Sequence, residues 1–218
     1  MQKGAFGACL MVEPELVAAC VSSIKNVVSV PVTVKHRVGV DQIQEYSFLN
    51  DFVSVVSAAG CRTFIVHARN AVLKGLSPNE NREVPPLKYD YVYRLKDDFP
   101  HLEIVINGGI ATWAEITNHL AYVDGVMLGR AAYHNPWLLA APKKTRSDVV
   151  GAMYAYAKGV APLRHATRHM LGLYHGHPKA RLWRRMLSDS ERLSPTVPSC
   201  CSKRWSSSKQ PGTPPLHR

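Results

Sequence analysis

The sequence predicts an α/β fold in which a parallel sheet alternates with helices, as in a (β/α)8 or TIM barrel. Four short apolar segments rich in Val and Ile alternate with stretches of helical periodicity. Each of these segments ends at a polar residue or at glycine. Two of the ends, Asn107-Gly108-Gly109 and Gly129-Arg130, follow one another along the chain.

The first half of the chain contains two predicted strands with a helix before each. Pro14 begins a predicted helix that runs to about residue 28, because proline fits the first turn of a helix. A second helix over residues 48–59 is closed by Gly60. The strands are predicted at Pro31–Lys35 and Thr63–His67.

The second half of the predicted sheet follows a long loop at residues 68–86. Helices are predicted over residues 89–99 and 112–121, with Thr112 as the N-cap of the second. The strands are predicted at residues 103–107 and 125–128. Strictly alternating strands and helices imply parallel pairing through right-handed crossovers.

The two glycine-containing ends predict a phosphate-binding site. Glycine lets backbone N–H groups approach an anion closely, and the positive N-terminus of the following helix adds to the attraction. Two ordinary turns that need positive φ would give the same pattern. Arg130 directly after the second turn favours phosphate.

Lys35, His67, Asn107 and Arg130 all lie at or just past predicted strand ends, on one rim of the sheet. The lysine could sit beside a ligand atom that gains negative charge, such as the edge of a reduced flavin or a substrate oxyanion. The histidine could donate to a phosphate or a ring heteroatom. Alternatively, it pairs with a neighbouring loop.

Charge divides the chain into unequal parts. Residues 1–142 contain 12 Lys and Arg against 13 Asp and Glu, whereas residues 143–218 contain 15 against 3. We therefore predict a barrel-type domain at 1–142, a basic helical domain at 143–193 and a disordered tail at 194–218. A basic part of this kind favours nucleic acid as partner over a membrane, the alternative being a merely solvated tail.

The basic part is predicted to contain three helices, at residues 147–160, 163–173 and 178–188. In the third, Arg181, Arg184 and Arg185 share one broad face, with Leu182 and Met186 packed beneath. Guanidinium groups spaced in this way can contact neighbouring phosphates. The alternative is a surface helix whose charges remain in water.

Other classes of function find little support. No apolar run reaches the length of a membrane span, and no leader segment opens the chain. Five cysteines without metal spacing indicate free thiols in a reducing cytoplasm. His165 and His169 have helical spacing, but the neighbouring Arg168 opposes a metal, so no metal is expected. No nucleophile and base form a recognisable pair.

Seven segments together resemble the bacterial tRNA-dihydrouridine synthases of the A subfamily: GAFGACLM, PVTVKHRVG, FIVHAR, GLSPNENREVPPL, INGGI, DGVMLGRAAYHNPW and TRHMLGLYHGHPKARLWRR. The resemblance covers about residues 2–192. It implies the C-terminal strands of a TIM barrel followed by a small α-helical domain. It also implies FMN, reduced by NADPH, and reduction of uridine in the tRNA D-loop at positions 20 and 20a.

The resemblance also implies roles for individual residues. Lys35 and His67 would contact FMN. The phosphate of FMN would be held by Asn107, Gly108, Gly109, Gly129 and Arg130. The tRNA contacts would be Asn79, Arg82, Arg181 and Arg184.

The chain departs from this family in its catalytic acid. In the family, a cysteine in a Gly-Cys-Pro-Ser motif protonates C5 of the uracil, and that motif is expected upstream of Met1. Cys9 belongs to a later segment and does not inherit this role, so no catalytic residue is assigned. Two interpretations remain, an incomplete synthase or a remnant that at most binds RNA. The basic C-terminal part disfavours a third, a barrel enzyme acting on a small molecule.

Overall fold

The computed structural model describes residues 6–140, 144–160 and 163–189. They belong to two compact units, the first ending at Ala131 and the second beginning at Ala132. The predicted tail at 194–218 lies outside the described residues. The assignment of functions to domains bounded at residues 142 and 193 stays a prediction.

The first unit contains a four-stranded parallel sheet, which confirms the predicted α/β class. Its strands are β1 (Thr33–Arg37), β2 (Thr63–His67), β3 (Glu103–Asn107) and β4 (Gly125–Met127). They pair in sequence order, β1-β2-β3-β4. Strands in this order, with a helix between each pair, are consistent with part of a TIM barrel.

Four helices alternate with these strands: α1 (Pro14–Lys25), α2 (Tyr46–Ala58), α3 (Tyr89–Asp98) and α4 (Trp113–Leu120). A short 3-10 helix at Gly7–Val12 precedes them. Gly60 follows α2 with φ +95°, as expected of a residue that closes a helix. Thr112 caps α4, and its hydroxyl accepts a hydrogen bond from the Glu115 N–H.

The hydrophobic core lies on the helical side of the sheet. Alternate strand residues point to this side, among them the fully buried Phe64, Val66, Ile104 and Ile106. They pack with α2 and α3 through Leu49, Phe52, Val53, Val56, Val92 and Leu95. The opposite side of the sheet carries Lys35, Ile65 and Val105 and is less buried.

The first strand differs from its prediction, because β1 starts at Thr33 and continues to Arg37. His36 lies inside the strand and is buried, with its ring 5.1 Å from that of Phe52 and 5.9 Å from that of Phe64. Packing of the His36 ring against these two aromatic rings stabilises the charged segment as part of the strand. Lys35 therefore lies two residues before the strand end rather than at it.

The second unit is helical. The short helix α5 (Arg130–His134) leads into it and is followed by a 3-10 helix at Pro136–Leu139. Further along are α6 (Arg146–Val160), α7 (Leu163–Thr167) and α8 (Ala180–Ser188). Met170, Leu173, Tyr174, Trp183 and Leu187 form the core of this unit.

The prediction of one helix over residues 163–173 is wrong. Helix α7 ends at Thr167 and a 3-10 helix, Arg168–Met170, follows. A Cβ atom on Gly172 would overlap the carbonyl group of His134. The chain thus approaches another backbone segment closely at Gly172, and a regular helix does not continue through it.

Among the helices within the described ranges, none is both long enough and apolar enough to cross a membrane.

Candidate anion-binding site at the strand ends

The carboxyl ends of three strands bring polar side chains into one row. The register pairs Arg37 with His67 and His67 with Asn107. Residues paired in a parallel sheet project to the same face, so these three side chains share the side away from the hydrophobic core. The predicted common rim therefore exists, with Arg37 rather than Lys35 as its β1 member.

The Gly108-Gly109 turn packs directly on this row. Gly108 is buried with φ +120°, and Gly109 is exposed with φ +72°. A Cβ atom on Gly108 would lie 2.8 Å from Cδ2 and 3.1 Å from Nε2 of His67. Both the backbone angles and this close approach require glycine.

His67 lies among positive charges. It is buried, and its pKa falls to about 3, first because burial disfavours the charged ring. The nearby charges of Arg37, Lys35, Arg69 and Arg130 lower that pKa further. The imidazole of His67 is therefore neutral at pH 7. The four positive charges that lower its pKa also favour a negative charge near the strand ends.

Lys35 and Arg37 point from the same strand to the same side. Burial, followed by the charge of Arg37, lowers the pKa of Lys35. Burial likewise lowers the pKa of Arg37, with Arg69 and Arg82 adding to the effect. Both residues line a cleft of 370 Å³ along β1, where the 3-10 helix at Gly7–Val12 forms the other wall.

Arg130 already has an anionic partner in this structure. Its guanidinium donates to the carboxylate of Glu83, and a longer bond of 3.4 Å reaches the carbonyl oxygen of Arg82. Both side chains of this ion pair are exposed to solvent. Next to it, a Cβ atom on Gly129 would meet no heavy atom within 4 Å, so the second turn faces open space.

The turn before α4 is closed by a capping box between Thr112 and Glu115. The Glu115 carboxylate accepts from the N–H groups of both Ala111 and Thr112, at 2.9 Å each. These backbone bonds and the Thr112 hydroxyl lower the pKa of Glu115. A carboxylate thus lies at the N-terminus of α4, where it offsets the attraction that the helix end exerts on an anion.

Asn107 connects neighbouring strand ends. Its side-chain amide donates to the carbonyl oxygen of Met127 at 2.8 Å. Its backbone carbonyl oxygen accepts from the N–H of Ala68 at 2.9 Å. The second N–H of that side-chain amide can donate to a ligand oxygen. Its predicted phosphate contact stays a prediction.

The long loop at residues 68–86 is attached to the rim through its backbone. Arg37 donates to the carbonyl oxygens of Asn70 at 3.2 Å and Asn81 at 2.9 Å. The Asn81 side chain bonds to both the N–H and the carbonyl oxygen of Val72. Asn79 and Arg82, the predicted RNA contacts of this loop, are exposed.

Helix α8 carries the predicted RNA contacts of the second unit. Arg181, Arg184 and Arg185 are exposed. Trp183 and Leu187 form its buried face, and the Trp183 indole donates to the carbonyl oxygen of Met170 at 2.8 Å. The expectation that Leu182 packs beneath the arginines is wrong, because its side chain lies outside this face and is 42% exposed.

Metal-binding and disulfide chemistry find no support within the described residues. No group of three or more His, Cys, Asp or Glu side chains there could hold a metal ion. Cys9, Cys20 and Cys61 are free thiols. Cys200 and Cys201 lie outside the described residues.

Sequence reasoning missed three residues of this rim. Arg37 could have been found from strand alternation, since it lies two residues after Lys35 on the same face. Glu83 and Tyr89 carry no local signal of this kind. They contact Arg130 and Gly108 across long stretches of chain, which only the fold brings together.

A parallel α/β sheet with a cationic, glycine-lined rim defines a class of anion-binding α/β proteins. The chain belongs to the dihydrouridine synthase (Dus) family, whose model matches residues 1–204. This finding confirms the resemblance drawn from the sequence motifs.

Individual relatives point to one branch of this family. The chain is 54% identical to a tRNA-dihydrouridine(20/20a) synthase of Vibrio parahaemolyticus over 206 aligned positions. It is 47% identical to one of Synechocystis and 53% identical to one of Escherichia coli K12. The alignments cover 87%, 97% and 87% of this chain but 63%, 68% and 59% of the three relatives. This chain is therefore short relative to its relatives.

Proposed function

We propose that this chain is the flavin-phosphate-holding and RNA-facing part of a tRNA-dihydrouridine synthase that acts at positions 20 and 20a. The activity is an oxidoreduction in which NADPH reduces FMN and a D-loop uridine becomes dihydrouridine. The observation that carries the proposal is the row of Arg37, His67 and Asn107 at the strand ends, on which the Gly108-Gly109 turn packs. The names of the relatives supply the reaction and the tRNA positions.

The residues at the rim fit the phosphate end of FMN. A phosphate needs cationic donors and backbone N–H groups that it can approach closely. Gly109 and Gly129 are exposed, and the space beside Gly129 is open. Arg130 is held by the exposed carboxylate of Glu83 and by one long bond to the carbonyl oxygen of Arg82. Exposed ion pairs contribute about 0–1 kcal/mol, so a phosphate can compete for the guanidinium.

Bound FMN would supply the hydride chemistry of the reaction. The chain's own contribution is to bind and orient that group. Lys35 places an ammonium where negative charge can be stabilised, and burial with the charge of Arg37 makes its proton easier to lose. His67 is neutral at pH 7 and can donate or accept a hydrogen bond without adding charge. Asn107 and the two turns complete the proposed contacts.

The proposed RNA contacts are Asn79, Arg82, Arg181 and Arg184, all of them exposed. One arginine can donate two parallel hydrogen bonds to a phosphate, and its planar guanidinium can stack on a base that has left the RNA helix. Reaching a uridine also requires that its base leave the RNA stack. A cytoplasmic location is proposed with this function, since that is where tRNA is modified.

The cofactor part of the proposal is tested with the purified chain and two flavins. We expect FMN to bind more tightly than riboflavin, which has the same ring system but no phosphate. The measurement is quenching of flavin fluorescence on titration with protein. Equal affinity for both flavins, or binding of neither, would rule out the proposed phosphate site.

The RNA part is tested with a transcribed tRNA that has uridine at positions 20 and 20a. Filter binding at several salt concentrations should show weaker binding after joint replacement of Arg181 and Arg184 by Ala, with a shallower salt dependence. Lys158→Ala is the matched control, because Lys158 is also an exposed cation of the second unit. Dihydrouridine formed with NADPH, measured by mass spectrometry, separates an active synthase from a chain that only binds RNA.

A further inference from the structure

The hydroxyl of Tyr89 holds the glycine turn from outside the sheet. Tyr89 is the first residue of α3, and its hydroxyl donates to the carbonyl oxygen of Gly108 at 2.6 Å. The Gly108–Gly109 peptide is planar and trans, so its carbonyl and its N–H point in opposite directions. A hydrogen bond that fixes the Gly108 carbonyl therefore also fixes the direction of the Gly109 N–H.

The Gly109 N–H is available to a ligand. Gly109 is exposed, and within the described parts of the chain its N–H has no hydrogen-bond acceptor. An amide at such a turn, beside cations, is a ready donor to a phosphate oxygen. How strongly the Gly109 N–H can bind a phosphate depends on how rigidly the turn holds its direction.

The Tyr89 ring is itself held in place. It lies edge-on to the buried ring of His119, with centroids 4.5 Å apart. Nδ1 of His119 is hydrogen-bonded to the hydroxyl of Tyr93 at 2.7 Å. Leu87 packs on the turn beside this hydroxyl, since a Cβ atom on Gly109 would meet Cδ1 of Leu87 at 2.8 Å and the hydroxyl oxygen of Tyr89 at 3.0 Å. Burial raises the pKa of Tyr89, so its hydroxyl remains a donor at neutral pH.

We propose that Tyr89 is a positioning residue of the phosphate site, which aims the Gly109 N–H at the phosphate through its bond to the Gly108 carbonyl. This inference rests on the proposed flavin site. Tyr89 itself touches no ligand. Its effect is transmitted through one peptide group.

The test is Tyr89→Phe, which removes the hydroxyl and keeps the ring on His119. The matched control is Tyr91→Phe, which removes another hydroxyl of α3 from a ring that contacts Tyr46 and Lys88. Loss of one hydrogen bond is worth about 1 kcal/mol, so we expect roughly 3- to 10-fold weaker FMN binding for Tyr89→Phe only. Riboflavin binding should change less than FMN binding, because the effect acts on the phosphate.

A second measurement does not depend on flavin. Hydrogen–deuterium exchange of peptides that span residues 104–112 reports on the turn itself. We expect faster exchange in Tyr89→Phe than in Tyr91→Phe or the unchanged chain.

The outcomes separate the two proposals. Unchanged exchange, or FMN and riboflavin affinities that fall equally, would overturn the positioning role of Tyr89. Failure of the unchanged chain to prefer FMN over riboflavin would overturn the proposed phosphate site, and with it any role of Tyr89 in phosphate binding. In that case, faster exchange in Tyr89→Phe would show that the hydroxyl only stabilises the turn and has no role in phosphate binding.

Discussion

Gly108 and the ring of His67 are in direct contact, so that a Cβ atom at Gly108 would come within 2.8 Å of Cδ2 of His67. A residue at the end of β2 and the turn after β3 thus form one packed unit. Movement of either one would disturb the other. The predictions that follow concern this unit and the loop beside it.

Gly108→Ala should destabilise the chain by about 2 kcal/mol or more, since φ +120° is strained for alanine and the new Cβ would collide with His67. Urea unfolding followed by circular dichroism measures the change. Gly75→Ala is the matched control, because Gly75 also has positive φ, at +91°, but has no neighbouring atom within 4 Å. It should cost about 1 kcal/mol, from strain alone. Equal losses for the two variants would contradict the packing of Gly108 on His67.

Stability should fall as the pH is lowered from 7 to 5.5. Burial lowers the pKa of His36 to about 4 and that of His67 to about 3, so both stay neutral in the folded chain while they protonate in the unfolded chain below about 6.5. The unfolded state then binds more protons, and each residue should cost about 1 kcal/mol over this interval. Urea unfolding at both pH values measures the loss.

His36→Phe should reduce that loss, because the ring lies between Phe52 and Phe64 and phenylalanine does not titrate. His101→Phe serves as the control, since His101 is exposed and should leave the pH dependence unchanged. A His36→Phe chain that loses as much stability at pH 5.5 as the unchanged chain would contradict the buried, neutral His36.

Arg130→Ala should weaken binding of FMN about 10-fold and leave riboflavin binding within about 2-fold, as expected for a lost charge-assisted bond to phosphate. Folding stability should change by less than about 1 kcal/mol, because the pair with Glu83 is exposed. Fluorescence titration gives the affinities. Arg94→Ala is the control, since Arg94 is another exposed arginine of the same unit with a carboxylate partner, Asp98. Parallel losses for both flavins would show that Arg130 does not contact the phosphate.

Asn81→Ala should loosen the long loop, because it removes two hydrogen bonds to the backbone of Val72, of 2.8 and 2.7 Å. Limited proteolysis should then cleave the loop several-fold faster, as expected when a local opening becomes easier. Asn79→Ala removes an exposed side chain two positions away and should leave cleavage unchanged while weakening tRNA binding. Equal cleavage of the two variants would contradict the anchoring role of Asn81.

Local patterns were enough for most of the fold. Strands β2 and β3 lie where they were predicted, since β-branched runs with turn residues on both sides have few alternatives. Strand β1 was misplaced because its charged residues suggested an end, whereas burial of His36 between two aromatic rings continues the strand. The break after Thr167 depends on close packing at Gly172, which no periodicity reveals.

The candidate site was only partly predictable. The glycines of the first turn adopt positive φ, as their position after a strand suggests. Thr112 caps α4 as predicted, and Glu115 three residues later completes a capping box that is a recognisable sequence pattern. Contacts such as Glu83 with Arg130 join residues 47 positions apart, and local sequence carries no information about them.

The long loop is held by bonds to its carbonyl oxygens. Arg37 of β1 contacts those of Asn70 and Asn81, and Arg69, within the loop, contacts that of Pro85. Carbonyl oxygens are present whatever side chain a residue carries. Exposed positions such as Asn79 and Arg82 can therefore be exchanged during evolution without loss of these attachments. The surface side chains of the loop can thus change by mutation while its path over the rim is inherited unchanged.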